Sequence, residues 1–203
     1  MLREEPTREP TGVRALAYVS DLHAAYPCSD DRLAARAALF GEFRKSFANP
    51  IRTVGDWIDS GHVLEHYPVF SLPKGVRGNT DYKSGLPSYR WDGRVLCAHG
   101  HQAYPFRFLG VFSRSVAEKR RPSVLDEKAF GHYVSDNLSS WVCRVLHREN
   151  PVVLVHGHTH RPGLLTLPCG TVVADCGSWE VGNPRPTAVL VFENSVRLVG
   201  VVS

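Results

Sequence analysis

The segment Arg14-Ala15-Leu16-Ala17-Tyr18-Val19-Ser20-Asp21-Leu22-His23 joins a short apolar run, which predicts a β-strand, to a carboxylate and an imidazole directly after it. The same pattern recurs four times: residues 51–54 precede Gly55-Asp56, residues 69–77 precede Gly78-Asn79, residues 94–98 precede His99, and residues 152–156 precede Gly157-His158-Thr159-His160. Strands that deliver side chains to one edge of an α/β sheet commonly build a site there. We therefore predict an α/β protein with one site assembled from five segments.

The polar residues at these strand ends are the ligand types of a two-metal site. A carboxylate can bridge two ions because it has two oxygens and a negative charge, whereas a neutral imidazole serves one ion. Asp56 is the candidate bridge between the two ions. We expect Asp21, His23 and His160 on one ion, and Asn79, His99 and His158 on the other. This mixed oxygen and nitrogen set suits Mn, Fe, Zn or Ni, of which we prefer Mn.

The spacing of the ligands is compatible with convergence on a pair of ions. Residues i and i+2 of an extended segment point the same way, so Asp21 and His23 can meet at one ion, and a loop just beyond a strand end allows the same approach. Glycines stand at three of these junctions, where the backbone must turn close to the ions: Gly55, Gly78 and Gly157.

The five ordered segments SDLH, GDWID, GNTD, AHGH and HGHTH resemble the pattern of the calcineurin-like metallophosphoesterase family. The resemblance implies a four-layer α/β/β/α sandwich with two mixed β-sheets flanked by helices. It implies two divalent ions, and a hydroxide held between them that hydrolyses a phosphoester or pyrophosphate bond. It also implies the seven ligands already named, with Asp56, Asn79 and His99 as the catalytic positions.

One position departs from the family pattern. Many members have His where this chain has Thr80, and that His is thought to protonate the leaving group. The threonine hydroxyl can offer only a hydrogen bond near neutral pH, so a leaving group that is already stable as an anion tolerates the change better. This favours a pyrophosphate-linked substrate over an alkyl phosphomonoester.

A narrower resemblance is to the UDP-2,3-diacylglucosamine hydrolase branch, which also has a residue other than His at this position. The run HGHTHRP after the last predicted strand and the run Asp175-Cys176-Gly177-Ser178-Trp179 are similar to that branch. The branch has Arg where this chain has Thr80, and often has Asp where this chain has His101.

Substrate contacts are predicted around the metal ligands at Arg77, Thr80, His101, Arg107 and Arg161. Arg107 belongs to residues 102–121, which combine aromatic and basic residues. Such a segment can form a cap that stacks a base, binds an anionic lipid surface or binds nucleic-acid phosphates. The favoured interpretation is that the aromatic residues pack on the core and the basic residues form a solvated face.

Length and composition indicate one domain, residues 13–203, after a charged, proline-containing lead-in at residues 1–12. No segment has the ~20 apolar residues of a membrane span, and no secretory signal is recognisable, so we expect a cytoplasmic protein. The five cysteines lack CxxC spacing and are expected to be reduced, with Cys97 as a small buried hydrophobe.

The remaining elements follow from periodicity and from capping and breaking residues. We predict helices at residues 30–47, 58–66 and 122–150, and four late strands that suit the second sheet of a sandwich. The late strands are residues 164–167, 171–174, 187–192 and 196–202.

Three functions remain open at the level of sequence. A metal-dependent phosphoesterase acting on a small phosphorylated or pyrophosphate-linked substrate is preferred. A nuclease or cyclic-nucleotide phosphodiesterase uses the same chemistry, but the net charge of +4 is too modest to favour nucleic acid. The third is a non-catalytic scaffold, which the presence of all seven ligands disfavours. The oligomeric state is not predicted.

Overall fold

The computed structural model describes residues 15–24, 30–47, 50–58, 62–72, 74–78, 81, 85–100, 153–166 and 170–201. Within these ranges the chain forms two five-stranded mixed β-sheets. The first sheet has the order β10-β9-β1-β2-β3, and the second has the order β4-β5-β6-β8-β7. The predicted α/β class with two mixed sheets is confirmed.

The elements of the first sheet and its helices come mainly from the two ends of the chain. They are β1 (Leu16–Val19), α1 (Asp30–Ser46), β2 (Ile51–Val54), α2 (His62–His66), β3 (Gly75–Val76), β9 (Thr187–Val191) and β10 (Val196–Gly200). The second sheet contains β4 (Tyr89–Asp92), β5 (Val95–Ala98), β6 (Val153–His156), β7 (Gly163–Thr166) and β8 (Val172–Asp175).

The strands that carry the predicted site run parallel, so their carboxyl ends lie at the same edge. In the first sheet β1 pairs with β2, and β2 pairs with β3, in parallel. In the second sheet β5, β6 and β8 are parallel neighbours. Asp21, Asp56, His99 and His158 each follow the end of one of these strands, and the two sheets therefore bring them to one end of the sandwich.

Two apolar layers hold the sheets in place. Alternate residues of β1 point to opposite faces, so Tyr18 packs between the sheets while Ala17 and Val19 face α1. One face of α1 packs in this layer, because Leu33, Ala37, Phe40 and Phe43 are buried there. Cys97 and Cys176 are free and buried in the layer between the sheets.

The four late strands do not form one sheet, which corrects the prediction. β9 and β10 join the first sheet, where β9 pairs antiparallel with β1. β7 and β8 join the second sheet, where β8 runs parallel to β6. Periodicity identifies a strand but not its partner, and here the chain crosses between the sheets after β8.

The region between β2 and β5 also differs from the prediction. Where a strand was predicted at residues 69–77, the described residues form the end of a 3₁₀ turn (Pro68–Phe70) and the two-residue strand β3. The brief helix expected near residues 58–66 is present as α2. Strand β4 was not predicted, although the Asp-Gly pair at its end is a hairpin signal.

Some predictions fall outside the described residues. They are the helix at residues 122–150, which would supply the outer layer on the second sheet, and the segment at residues 102–121. Neither described helix has the length and apolar character required to cross a bilayer.

Candidate metal centre

The first two predicted ligand segments are joined through their backbones. The Asp21 amide donates to the Gly55 carbonyl at 3.1 Å, and the His23 amide donates to the Asp56 carbonyl at 3.0 Å. The Ser20 hydroxyl lies within hydrogen-bond distance of the Val54 and Gly55 carbonyls. These bonds continue the parallel pairing of β1 and β2 beyond the sheet, so the two loops cannot separate.

Five ligand positions have left-handed backbone conformations. The φ angles are 54° at Asp21, 48° at His23, 46° at Asp56, 74° at His158 and 60° at His160, and no other described non-glycine residue has a positive φ. Such conformations cost energy for residues with a Cβ and concentrate at functional sites. The sequence allowed these residues to lie either in an extended segment or in a loop just beyond a strand end. The structure has the loop.

The first ligand group consists of Asp21, His23 and His160. One ligand atom from each residue lies within 4.8 Å of those of the other two. The Nε2 atoms of His23 and His160 are 3.1 Å apart, and Asp21 Oδ1 lies 3.5 Å from the first and 3.3 Å from the second. Two imidazole nitrogens and a carboxylate oxygen thus converge on one point.

The second ligand group consists of Asp56, His99 and His158, which meet the same 4.8 Å criterion. His99 is fully buried, and its Nε2 lies 3.6 Å from Asp56 Oδ2. The rings of His99 and His158 meet edge to face with their centroids 4.9 Å apart. The predicted fourth member, Asn79, lies outside the described residues, as do Thr80, His101 and Arg107.

Two buried carboxylates lie between the groups. Asp56 Oδ2 is 3.6 Å from the nearest nitrogen of His99 and 3.9 Å from that of His23. Asp21 Oδ1 contacts His99 Nε2 at 3.2 Å, while its other oxygen accepts the His158 amide at 2.9 Å. Both aspartates therefore face both groups, and Asp56 as the shared ligand stays a prediction.

The donor set fits divalent transition metals. Each group offers carboxylate oxygen and imidazole nitrogen, which Mn, Fe, Zn and Ni all accept. Asp21 is fully buried and Asp56 is 2% exposed. Buried carboxylates require compensation by hydrogen bonds, ion pairs or a metal, and a cation held by these groups would provide it directly.

The electrostatics of the site favour positive charge between these groups. Burial alone would raise the pKa of Asp21, but the three surrounding imidazoles hold that pKa well below its usual range. Burial opposes protonation of His99, yet Asp56 and Asp21 raise its pKa. Burial likewise opposes protonation of His160, but Asp21 and Glu180 raise its pKa to about 9. Protons and metal cations therefore compete for these nitrogens.

Asp81 supports the loop that carries Asp56. Its carboxylate accepts hydrogen bonds of 3.2 Å from the backbone amides of Trp57, Ile58 and Gly78. Burial raises the pKa of Asp81, and the nearby Asp56 carboxylate acts in the same direction.

Asp175 supports the loop that carries His158 and His160. Its Oδ2 accepts the Thr159 hydroxyl at 2.6 Å, and its Oδ1 accepts the Gly177 amide at 2.8 Å. His156, left unassigned from sequence, is fully buried behind this loop and donates from Nδ1 to the Gly157 carbonyl at 3.0 Å. Burial lowers the pKa of His156 to about 4, so its imidazole is neutral near pH 7.

The two predicted phosphate-binding arginines that the structure describes have different surroundings. Arg161 directly follows His160, is partly exposed, and its amide donates to the Thr159 hydroxyl at 3.1 Å. Arg77 precedes Gly78, and its guanidinium donates to the Ser88 hydroxyl at 3.2 Å. Their role toward a phosphate stays a prediction.

Comparison with protein families agrees with this geometry. Residues 15–195 match the model of the calcineurin-like phosphoesterase superfamily domain, and the chain belongs to that superfamily. None of the curated proteins compared with this chain matches it.

Solved structures share the fold. A novel archaeal phosphodiesterase has a TM-score of 0.51 and 13% identity, with 92% of this chain and 99% of the archaeal chain covered. Vacuolar Protein Sorting 29 from Cryptosporidium parvum has a TM-score of 0.51 and 14% identity, with 93% and 96% covered. A predicted phosphoesterase from Streptococcus pneumoniae TIGR4 has a TM-score of 0.47 and 14% identity, with 94% and 99% covered. Identities this low show the fold alone.

Binding of Mn²⁺ should release protons near pH 7. The raised pKa of His160, about 9, means that this imidazole carries a proton that must leave before its nitrogen binds a metal. Titration calorimetry in buffers of different ionisation enthalpy should detect the release. The affinity for Mn²⁺ should rise as pH increases from 7 to 9, and His160→Gln should release about one proton fewer. Heats that do not depend on the buffer would contradict this assignment.

Gly157→Ala should weaken Mn²⁺ binding. A Cβ at this position would overlap Ser20 Oγ and Asp21 Oδ2, so the segment that carries Asp21 must shift. We expect a loss of affinity of at least about tenfold and destabilisation of about 1–3 kcal/mol, measured by calorimetry and urea unfolding. Gly200→Ala is the control, because a Cβ there meets nothing within 4 Å. Equal Mn²⁺ affinity in the two variants would show that the close approach is unimportant.

Proposed function

We propose that this protein is a metal-dependent phosphoesterase that hydrolyses a phosphoester or pyrophosphate bond in a small substrate. The observation that carries the proposal is the pair of neighbouring groups, Asp21 with His23 and His160, and Asp56 with His99 and His158. The carboxylate of each group also lies within 4 Å of a histidine of the other group. Membership of the calcineurin-like phosphoesterase superfamily supports it independently.

The first group would hold one divalent ion and the second group, together with Asn79, the other. Divalent ions in such a site neutralise phosphoryl oxygens and lower the pKa of bound water, which are the two requirements for attack on a phosphate ester. Mn is our preferred metal, and Fe, Zn or Ni would fit the same donor atoms.

The chain's own residues have separate tasks in this proposal. Asp56 supplies a carboxylate within reach of both groups, and its loop is fixed by hydrogen bonds to Asp81 and to the His23 amide. His99 is fully buried, so it acts as a ligand rather than as a direct contact of the substrate. Arg161 and Arg77 are the candidate groups that orient the phosphate.

Thr80 favours a pyrophosphate-linked substrate. Its hydroxyl is not acidic enough to protonate an alkoxide leaving group, whereas a phosphate or nucleotide monophosphate leaves as a stable anion. The class of small phosphorylated substrates follows from the family, and the pyrophosphate preference rests on this one residue.

Asp56→Asn should abolish hydrolysis of bis(p-nitrophenyl) phosphate in the presence of Mn²⁺. The amide keeps the size of the side chain but removes the charge and one oxygen that two ions require. The rate should fall by more than about 100-fold, which exceeds the 10- to 100-fold loss typical of changes outside direct coordination. His66→Ala alters an exposed histidine on α2 and should leave the rate unchanged. An active Asp56→Asn protein, or equal effects of the two substitutions, would contradict the proposal.

A further inference from the structure

The loop at residues 178–183, which follows β8, is tied to the first metal-binding segment. The Trp179 amide donates to the carbonyls of Ser20 and Asp21 at 3.0 and 3.1 Å, and the Ser178 hydroxyl donates to the Asp21 carbonyl at 3.0 Å. The side chain of Trp179 is fully buried in the layer under α1. The loop and Asp21 therefore keep a fixed relative position.

The same loop brings Glu180 to the outer side of His160. Oε2 of Glu180 lies 3.5 Å from Nδ1 of His160. The other ring nitrogen, Nε2, faces the first ligand group, 3.3 Å from Asp21 Oδ1 and 3.1 Å from His23 Nε2. The two nitrogens of His160 therefore point toward different partners, the metal-binding group on one side and a carboxylate on the other.

The backbone of Glu180 is held by a buried arginine of α1. Arg36 is 7% exposed, and its Nη2 donates to the Glu180 carbonyl at 3.0 Å and to the Val181 carbonyl at 3.4 Å. On the other side the Glu180 amide donates to the Ser178 hydroxyl at 3.0 Å. A fixed backbone limits the positions that the Glu180 carboxylate can take, even though the side chain is partly exposed.

We propose that Glu180 is a positioning residue that acts on the metal site through His160. Its carboxylate accepts the Nδ1 proton, which fixes the tautomer in which Nε2 has a free lone pair and holds the ring toward Asp21. Carboxylates that hydrogen-bond the distal nitrogen of a metal-binding histidine strengthen and orient that ligand. The inference rests on the proposed function, because it assigns Glu180 to the same metal centre.

The effect is expected at the ion that the first group would hold. The Glu180 carboxylate contacts His160 of that group, whereas Asp56, His99 and His158 form the second group. The effect should also be moderate, because the Glu180 and His160 side chains are 45% and 36% exposed and water can replace part of the interaction.

The first test is Mn²⁺ titration of the protein by calorimetry. With the affinities corrected for protonation of His160, Glu180→Ala should weaken one binding step about tenfold and leave the other unchanged. Glu180→Gln keeps an acceptor for the Nδ1 proton and should recover part of the loss. Glu193→Ala removes the same charge from an exposed turn and should bind Mn²⁺ like the unmodified protein. The proposal is overturned if Glu180→Ala matches Glu193→Ala, or if Glu180→Gln is as weak as Glu180→Ala.

A double-substitution cycle separates action through His160 from a general effect of charge. On a His160→Ala background, Glu180→Ala should cause no further loss of Mn²⁺ affinity, because the histidine through which it acts is absent. A second tenfold loss on that background would show that Glu180 acts on the site directly or by charge alone, and would overturn the positioning role.

A measurement on the metal-free protein distinguishes failure of this inference from failure of the proposed function. Nitrogen NMR of His160, at a pH where the ring is neutral, should show the Nδ1–H tautomer, and Glu180→Ala should shift the ring toward the other tautomer. If the unmodified protein binds no Mn²⁺, the proposed function is wrong. The NMR measurement of the His160 tautomer still tests the contact with Glu180 in that case. An unchanged tautomer in Glu180→Ala would overturn the inference whatever the protein binds.

Discussion

The structure depends on placing two buried carboxylates, Asp21 and Asp56, at the adjacent ends of parallel strands. Burial makes an uncompensated aspartate costly, and four imidazoles surround this pair where the sheets meet. The hydrogen bonds between the loops after β1 and β2 fix the distance between the aspartates. A bound cation would stabilise two carboxylates and several imidazole nitrogens that converge at one point, and it would account for the burial and the choice of these residues.

The backbone around the site adopts unfavourable left-handed conformations that allow the side chains to converge. All five described non-glycine residues with positive φ are predicted ligands, so the strain is confined to the residues that must converge. Gly78 and Gly157 add a steric condition, because a Cβ at either position would overlap a ligand aspartate. Support from Asp81, Asp175 and the loop at residues 178–183 then holds these strained loops in one conformation.

Much of the fold and of the ligand set could be predicted from the sequence, because strand ends and their polar residues are local patterns. The segments around Asp21, Asp56, His99 and His158 were recognisable from a short apolar run followed by a ligand. Strand partners were not recognisable, since β9 and β8 look alike in sequence but join different sheets. Arg36 was missed because it contacts the loop at residues 178–183, more than 140 positions away in the chain. Glu180 was missed because it is a single carboxylate that belongs to no motif.

The most direct test is a crystal structure of the Mn²⁺-soaked protein with anomalous data collected at the manganese edge. The account predicts two anomalous peaks about 3.5–4 Å apart, one beside Asp21, His23 and His160, the other beside His99 and His158, with Asp56 in contact with both. A map with no peak at saturating Mn²⁺, or with metal bound away from both aspartates, would contradict the assignment of this site.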